Sequence, residues 1–254
     1  MKYLFTRGGR EALRHFCQDG ALWAFDYDGT LAPIVRNPDR AVMDGESAEL
    51  LQHLNRLMPL AIISGRSLGS LRRLLPFSPA YLVGNHGLER ELSLGSLAGT
   101  NRATQACRAW KAALAPAVRD DAGLVLEDKG LSLSLHYREK RGNGSLPEKV
   151  VQTISRLAPA PRIVLGKKVI NFMPPGGHHK GQALRDIMAK ARVVWAVYLG
   201  DDVTDEDVFS LPSSQVLGIR VGFDPGSSAR YYLRRQEEIW LLLRTVISCL
   251  EGGE

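Results

Sequence analysis

Three times in the first 90 residues a short apolar run stops at a cluster of small polar residues. Leu22–Phe25 runs into Asp26-Tyr27-Asp28-Gly29-Thr30, Leu60–Ile63 into Ser64-Gly65-Arg66, and 81–83 into Gly84-Asn85-His86-Gly87. Unbroken apolar runs of this length mark strands covered on both faces. Helical spacings lie between them: Leu13 and Phe16 within 10–18, then Leu50, Leu51, Leu54 and Leu57 within 46–57, then Leu68, Leu71, Leu74 and Leu75. Pro59 follows the second of these helices, as befits a helix end. Strands that alternate with helices predict a parallel α/β sheet with right-handed crossovers. Ligands of such sheets bind beyond the carboxyl ends of the strands, where the polar clusters fall.

The pattern changes between residues 90 and 177. A helix at 101–114, with Cys107, Trp110 and Leu114, precedes extended runs at 124–127 and 131–135. The second run alternates strictly, and Lys129-Gly130 suits a tight hairpin between the two. A Gly-rich loop at 142–145 leads to a helix at 147–157 and to strands at 162–165 and 168–172. Hairpins with two helices predict a small α+β unit inserted into the parallel domain, with Pro174-Pro175-Gly176-Gly177 at its exit. The parallel pattern resumes with a helix at 180–191 and a long buried strand at 193–199. That strand runs into Gly200-Asp201-Asp202-Val203-Thr204-Asp205-Glu206. A strand at 216–221 and a helix carrying Ile239, Trp240, Leu243 and Ile247 complete the pattern. The expected domains are 1–89 with 178–254, and 90–177.

The acids carry the chemistry. Side chains alternate along a strand, so Asp26 and Asp28 share one side of it. Two carboxylates at one strand end repel and are costly to bury unpaired, which calls for a cation, most simply a divalent metal ion bound through oxygen. If the strand ending in Asp201 and Asp202 lies in the same sheet, both acidic turns share its ligand edge. Lys180, at a helix start, is then placed to neutralise a nucleophile and clamp a phosphate. Ser64 and Gly65 open onto a helix N-terminus, an anion seat. A carboxylate held in such surroundings can attack phosphorus. Singly, these features are a polar turn, an ordinary cap and a solvated lysine; their ordered combination is what points to chemistry.

Composition narrows the partners. The chain has 254 residues and a net charge of +6, with basic residues scattered in short pairs such as Arg72-Arg73. That distribution favours small anionic substrates, with no aromatic-interleaved basic stretch for nucleic acid. Cys17, Cys107 and Cys249 are far apart and odd in number, so neither a disulfide framework nor a cysteine metal site is expected, and a reducing cytoplasmic compartment fits. No leader and no apolar segment of membrane-spanning length is seen, and a monomer is the expected state. His178-His179 are taken as loop residues.

The ordered set resembles the haloacid dehalogenase-like phosphotransferase superfamily: a strand with Asp-x-Asp-Gly-Thr, a strand ending in Ser, a Lys at a helix start, and Gly-Asp-Asp-x-x-Asp after a later strand. Asp26–Leu31, Ser64-Gly65-Arg66, Gly84-Asn85-His86-Gly87, His136-Tyr137-Arg138, the Gly200–Glu206 turn and Ser227–Leu233 are similar, more narrowly, to the trehalose-6-phosphate phosphatases. The resemblance implies a Rossmann-like core with an inserted α+β cap domain, and a Mg²⁺-dependent hydrolase acting on a phosphorylated disaccharide. It implies Asp26 as nucleophile, Asp28 as general acid/base, and Ser64, Gly65 and Lys180 around the phosphate. Asp26, the Asp28 carbonyl, Asp201 and Asp202 would hold the metal ion. Arg66, Asn85, His86, Glu89, His136, Arg138 and Asn171 would contact the sugar. The family carries a Glu and an Arg just before the proline at the cap exit, where this chain has Asn171 and Met173. A sister phosphatase acting on another phosphorylated sugar, glycoside or glycerate is the alternative enzyme. A phospho-acceptor signalling receiver shares the Asp, Ser and Lys, but has neither the inserted segment nor the second acidic turn.

Overall fold

A computed structural model of the chain describes residues 1–254 apart from 19, 36, 92–99, 120, 138–145, 167, 177–178 and 254. The chain divides into two units, Met1–Ser96 with His179–Glu254, and Leu97–His178. In chain order the first unit contributes β1 (Lys2–Tyr3), α1 (Arg7–Gln18), β2 (Leu22–Phe25), α2 (Gly45–Leu57), β3 (Leu60–Ile63), α3 (Leu68–Leu74), β4 (Tyr81–Gly84) and β5 (Glu89–Arg90). The second comprises α4 (Thr100–Val118), β6 (Val125–Asp128), β7 (Leu133–His136), α5 (Glu148–Ser155), β8 (Arg162–Gly166) and β9 (Val169–Met173). The chain returns to the first through α6 (Lys180–Ala191), β10 (Ala196–Gly200), α7 (Glu206–Phe209), β11 (Val216–Val221), β12 (Tyr231–Leu233) and α8 (Glu238–Leu250).

The first unit's strands form one sheet in the order β1-β12-β11-β10-β2-β3-β4-β5. All its pairings are parallel except the short β4–β5 edge. Strand β2 lies between β10 and β3, and every residue of its Leu-Trp-Ala-Phe is wholly buried. Trp23 and Phe25 point to one face, among residues of α1, α2, α3 and α8, while Leu22 and Ala24 meet those of α6 and α7. Burying each large apolar side chain contributes about 1.5–3 kcal/mol. This two-sided burial is why the run shows no alternation. Because neighbouring strands run in register, with Leu199 opposite Phe25 and Ile63 opposite Val83, the turns after β2, β3, β4 and β10 emerge along one edge.

In the second unit β6, β7, β9 and β8 form an antiparallel sheet. Leu133, Leu135, Ile170 and Phe172 face a core shared with Trp110 and Leu114 of α4 and Val150 of α5. The Trp110 indole N–H is satisfied by the Pro159 carbonyl at 2.7 Å.

Several expected boundaries move. The connection between β6 and β7 is four residues, 129–132, not a two-residue turn: Lys129 N–H donates to the Ser132 carbonyl and Gly130 takes a φ of +82°. The run 193–199 becomes a strand only at Ala196; Val194 is exposed, and Arg192, in the left-handed region, turns the chain out of α6 first. Leu57, expected on the buried stripe of α2, is also exposed, whereas Leu51 and Leu54 are core. The Gly-rich loop at 142–145 lies outside the described residues.

Asp44 starts α2 by accepting a hydrogen bond from the Ser47 N–H at 2.9 Å. Burial pushes its carboxyl up, but the hydrogen bonds from Ser47 outweigh this and hold it below its ordinary value. A depressed folded-state pKa gives stability that is present above the ordinary carboxylate value and lost as pH falls through the folded one. Asp44→Ala should therefore lower stability by about 0.5–2 kcal/mol at neutral pH, less below about pH 4. Urea unfolding at both pH values measures it; equal loss at both would contradict the capping role.

Candidate active site

The turn after β2 begins with Asp26, whose N–H still donates to Leu199 of β10 at 2.8 Å. That bond extends the β2–β10 ladder by one residue and brings the two acidic turns side by side. Gly29 completes the approach: its φ is +78°, and a Cβ there would land on the Asp201 carboxylate. Only glycine serves at such a position.

Carboxylate oxygens of Asp26, Asp201 and Asp205, all buried, lie within 4.8 Å of one another. Lys180 opens α6 as a wholly buried lysine, with its Nζ 3.1 Å from Asp26 Oδ1 and 2.8 Å from Asp205 Oδ1. Asp205 Oδ1 also accepts from the Tyr198 hydroxyl at 2.6 Å, and Oδ2 from the N–H groups of Asp201 and Asp202 at 2.9 Å each. Both Asp205 oxygens are thus engaged, so this residue organises the turn and is a poor ligand despite its position in the cluster.

Burial alone would strip the proton from Lys180, but Asp205 and Asp26 hold its pKa above the ordinary lysine value. Asp26 is pushed the other way. Burial raises its carboxyl well above the usual range, Asp205, Asp201 and Asp28 add to the rise, and Lys180, shared with Asp205, does not offset them. Burial, with Asp205, Asp26 and Asp201, raises the Tyr198 hydroxyl, keeping it a neutral donor. Three buried carboxylates around one ammonium leave an excess of negative charge. The donors are hard oxygens, and the set fits a divalent cation held by Asp26 and Asp201. Asp202, expected as a ligand, is not part of this cluster among the described residues. Its backbone is occupied instead: the N–H goes to Asp205 and the carbonyl accepts from Arg220 at 3.3 Å.

The turns after β3 and β4 interlock. Ser64 N–H donates to Val83, its carbonyl accepts from His86 N–H at 2.9 Å, and its hydroxyl accepts from Arg66 N–H at 3.2 Å. A Cβ on Gly65 would strike the His86 ring, and His86 and Asn85 both have positive φ, +57° and +48°. Asn85, expected at the sugar, donates its amide to Glu89 Oε2 at 3.0 Å, and Glu89 accepts there from Leu68 N–H of α3 at 2.8 Å. These two residues brace the loop against the start of α3. Arg66 likewise turns its guanidinium fork to Asp28, with two bonds of 2.6 Å.

The residues expected in the second unit are described within that unit. His136 Nε2 lies 2.8 Å from Glu127 Oε2. Asn171 is buried in the sheet, accepting from Ser134 Oγ at 2.7 Å and donating to the Val164 carbonyl at 3.3 Å. These bonds engage it with its sheet neighbours. Arg138 and His178 lie outside the described residues. Tyr198 was not foreseen, because a tyrosine in an apolar run reads as core; the only signal was its position two residues before Gly200.

A doubly wound parallel sheet with two acidic turns, a serine turn and a buried lysine along one edge is the core of a haloacid dehalogenase-like protein. Comparison agrees: a model of the trehalose-phosphatase family matches residues 24–236. A probable trehalose-phosphate phosphatase D of Arabidopsis thaliana is 32% identical over 243 residues, covering 87% of this chain and 66% of that one. A Mycobacterium tuberculosis protein described as an uncharacterized glycosyl hydrolase is 34% identical over 208 residues, 77% of this chain but 16% of its own. The chain thus spans less than two thirds of these relatives' lengths. A crystal structure of a trehalose-6-phosphate phosphatase related protein superposes with a TM-score of 0.74 and 26% identity, over 89% of this chain and 97% of that one. The chain belongs to the trehalose-phosphatase family.

Gly29→Ala should destabilise the protein, by about 1–2 kcal/mol from the left-handed backbone alone and more from the displaced Asp201. Gly8 provides the control, since a Cβ there meets nothing and it lies in α1. Gly8→Ala should be neutral or stabilising by about 0.5–1 kcal/mol. Equal unfolding midpoints in urea for the two variants would refute the close approach of the acidic turns.

Proposed function

We propose that the protein is a Mg²⁺-dependent phosphatase that hydrolyses trehalose 6-phosphate. The observation that carries this is the buried Asp26 with an ammonium 3.1 Å from one oxygen and a second acidic turn beside it. In this reading an Asp26 oxygen bonds to phosphorus as the P–O bond to the sugar breaks, and Asp28 gives its proton to the leaving sugar oxygen. In the second half water attacks phosphorus, its proton passes to Asp28, and the Asp26–phosphorus bond breaks. Lys180 favours the ionised form of Asp26 and holds it in place, and Ser64 with the N–H groups of its turn seats the phosphate oxygens. Asp26, Asp201 and the Asp28 carbonyl would hold Mg²⁺, which supplies positive charge where the phosphoryl oxygens gather it.

The inserted unit is assigned the role of a cap, with His136 and Arg138 joining His86 in sugar recognition. Set against trehalose are Asn171 and Met173, which replace charged residues of the family pattern, and the engagement of Asn171 inside its own sheet. They favour, as a second reading, a phosphatase of the same mechanism with another phosphorylated sugar.

A panel of phosphorylated sugars read by phosphate release decides between the two. Trehalose 6-phosphate should have the highest kcat/KM, and chelation of divalent ions should abolish release. Asp26→Asn should lose at least about a thousandfold in kcat while its circular dichroism stays unchanged. Release by that variant at the wild-type rate would exclude the nucleophile; preference for another sugar would establish the second reading.

A further inference from the structure

Arg66 is nearly buried, and its guanidinium makes polar contacts with the protein's own groups. Its Nε donates to Asp28 Oδ2 and its Nη2 to Asp28 Oδ1, both at 2.6 Å. Nη2 also donates to the Pro38 carbonyl at 2.8 Å, and Nη1 to Ser70 Oγ at 3.3 Å. The guanidinium lies 5.5 Å over the ring of Tyr27, whose hydroxyl donates to the Ala41 carbonyl at 2.8 Å. Its backbone is pinned as well, by Ser64 Oγ on one side and Asn85 N–H on the other. The planar fork that would recognise a sugar or phosphate is filled by a carboxylate of the protein.

The beneficiary is Asp28. Its side chain is 39% accessible in an otherwise buried turn, next to the left-handed Gly29. An acid/base group must lie within hydrogen-bond reach of the atom it serves, and displacement by about 1 Å can cost about a hundredfold in rate. A bidentate pair fixes both direction and distance, which a lysine's point charge does not.

We infer that Arg66 is a positioning residue, which acts on the reaction through Asp28 and does not contact the substrate. This rests on the proposed acid/base role of Asp28, and the test separates the two. p-Nitrophenyl phosphate needs no proton on its leaving group: as Asp26 bonds to phosphorus, the P–O bond breaks and nitrophenolate departs as the anion. Only the second half then depends on Asp28, which serves as the carboxylate paired with Arg66: water bonds to phosphorus, its proton goes to Asp28, the Asp26–phosphorus bond breaks, and Asp28 releases that proton to solvent before the next turnover. A misplaced Asp28 therefore leaves the first half fast and the second slow.

The experiment is stopped-flow release of nitrophenolate by wild type, Arg66→Ala and Arg66→Lys with Mg²⁺, together with steady-state kinetics on trehalose 6-phosphate. In Arg66→Ala, steady-state turnover of the aryl phosphate should fall about a hundredfold. It should follow a burst approaching one nitrophenolate per enzyme, and added guanidinium should restore part of the rate. KM for trehalose 6-phosphate should change less than about threefold. Arg66→Lys keeps the buried charge and should show the same burst with a smaller loss, so the test stands if the alanine variant does not fold. A raised KM for the sugar phosphate with unchanged aryl phosphate turnover would make Arg66 a sugar contact and overturn the inference. Loss of turnover without a burst would overturn it too. Wild type that hydrolyses the aryl phosphate but not trehalose 6-phosphate would overturn the proposed sugar alone, while wild type inert on both would overturn the phosphatase reading and this inference with it.

Discussion

The site is built on a single buried carboxylate, Asp205. An ionised acid with no solvent access is costly unless every lone pair finds a donor. Asp205 finds four: the Lys180 ammonium, the Tyr198 hydroxyl and two backbone N–H groups of its own turn. Those bonds fold the Gly200–Glu206 turn back on the end of β10 and draw the start of α6 to it. They also determine where Lys180 ends. Its ammonium, anchored on Asp205, is left 3.1 Å from Asp26. The cation beside Asp26, the proposed nucleophile, is therefore positioned by Asp205.

A second consequence follows from charge. One lysine serves two acids, and a third, Asp201, is held beside them by the close approach at Gly29. The surplus falls on Asp26, which burial and its acidic neighbours push towards the protonated form. A protonated carboxyl is a weak nucleophile, so the attacking role proposed for Asp26 calls for further positive charge beside it. A divalent cation between Asp26 and Asp201 removes that conflict. Asp28 has a bidentate partner of its own in Arg66. The two acids of one turn thus have separate environments, which supports the two roles proposed for them.

Much of this was legible in the sequence because the constraints were local. Four-residue apolar runs identified the sheet, since a strand covered on both faces cannot alternate, and the polar residue after each run marked the ligand edge. Lys180 and Asp201 could be placed because a helix start and a strand end are readable from spacing. What escaped depended on long-range pairing. Nothing near Arg66 announces that its fork belongs to Asp28, 38 residues earlier. Asn171 reads as an available amide until its cross-strand partner Ser134 is known. Tyr198 is hidden by the apolar residues around it, and Asp202 by the similarity of its neighbour. The short strands β1, at the sheet edge, and β12, beside it, escape because two or three residues carry no periodicity.

The central claim, that the Asp26–Asp201 pair is over-negative and completed by a divalent cation, is tested most directly by calorimetric titration of Mg²⁺ into wild type and Asp201→Asn without substrate. The account predicts one ion per wild-type chain, a melting temperature that rises with Mg²⁺ concentration, and binding at least about tenfold weaker in the variant. Equal Mg²⁺ affinity in the two proteins, or none in wild type, would contradict it.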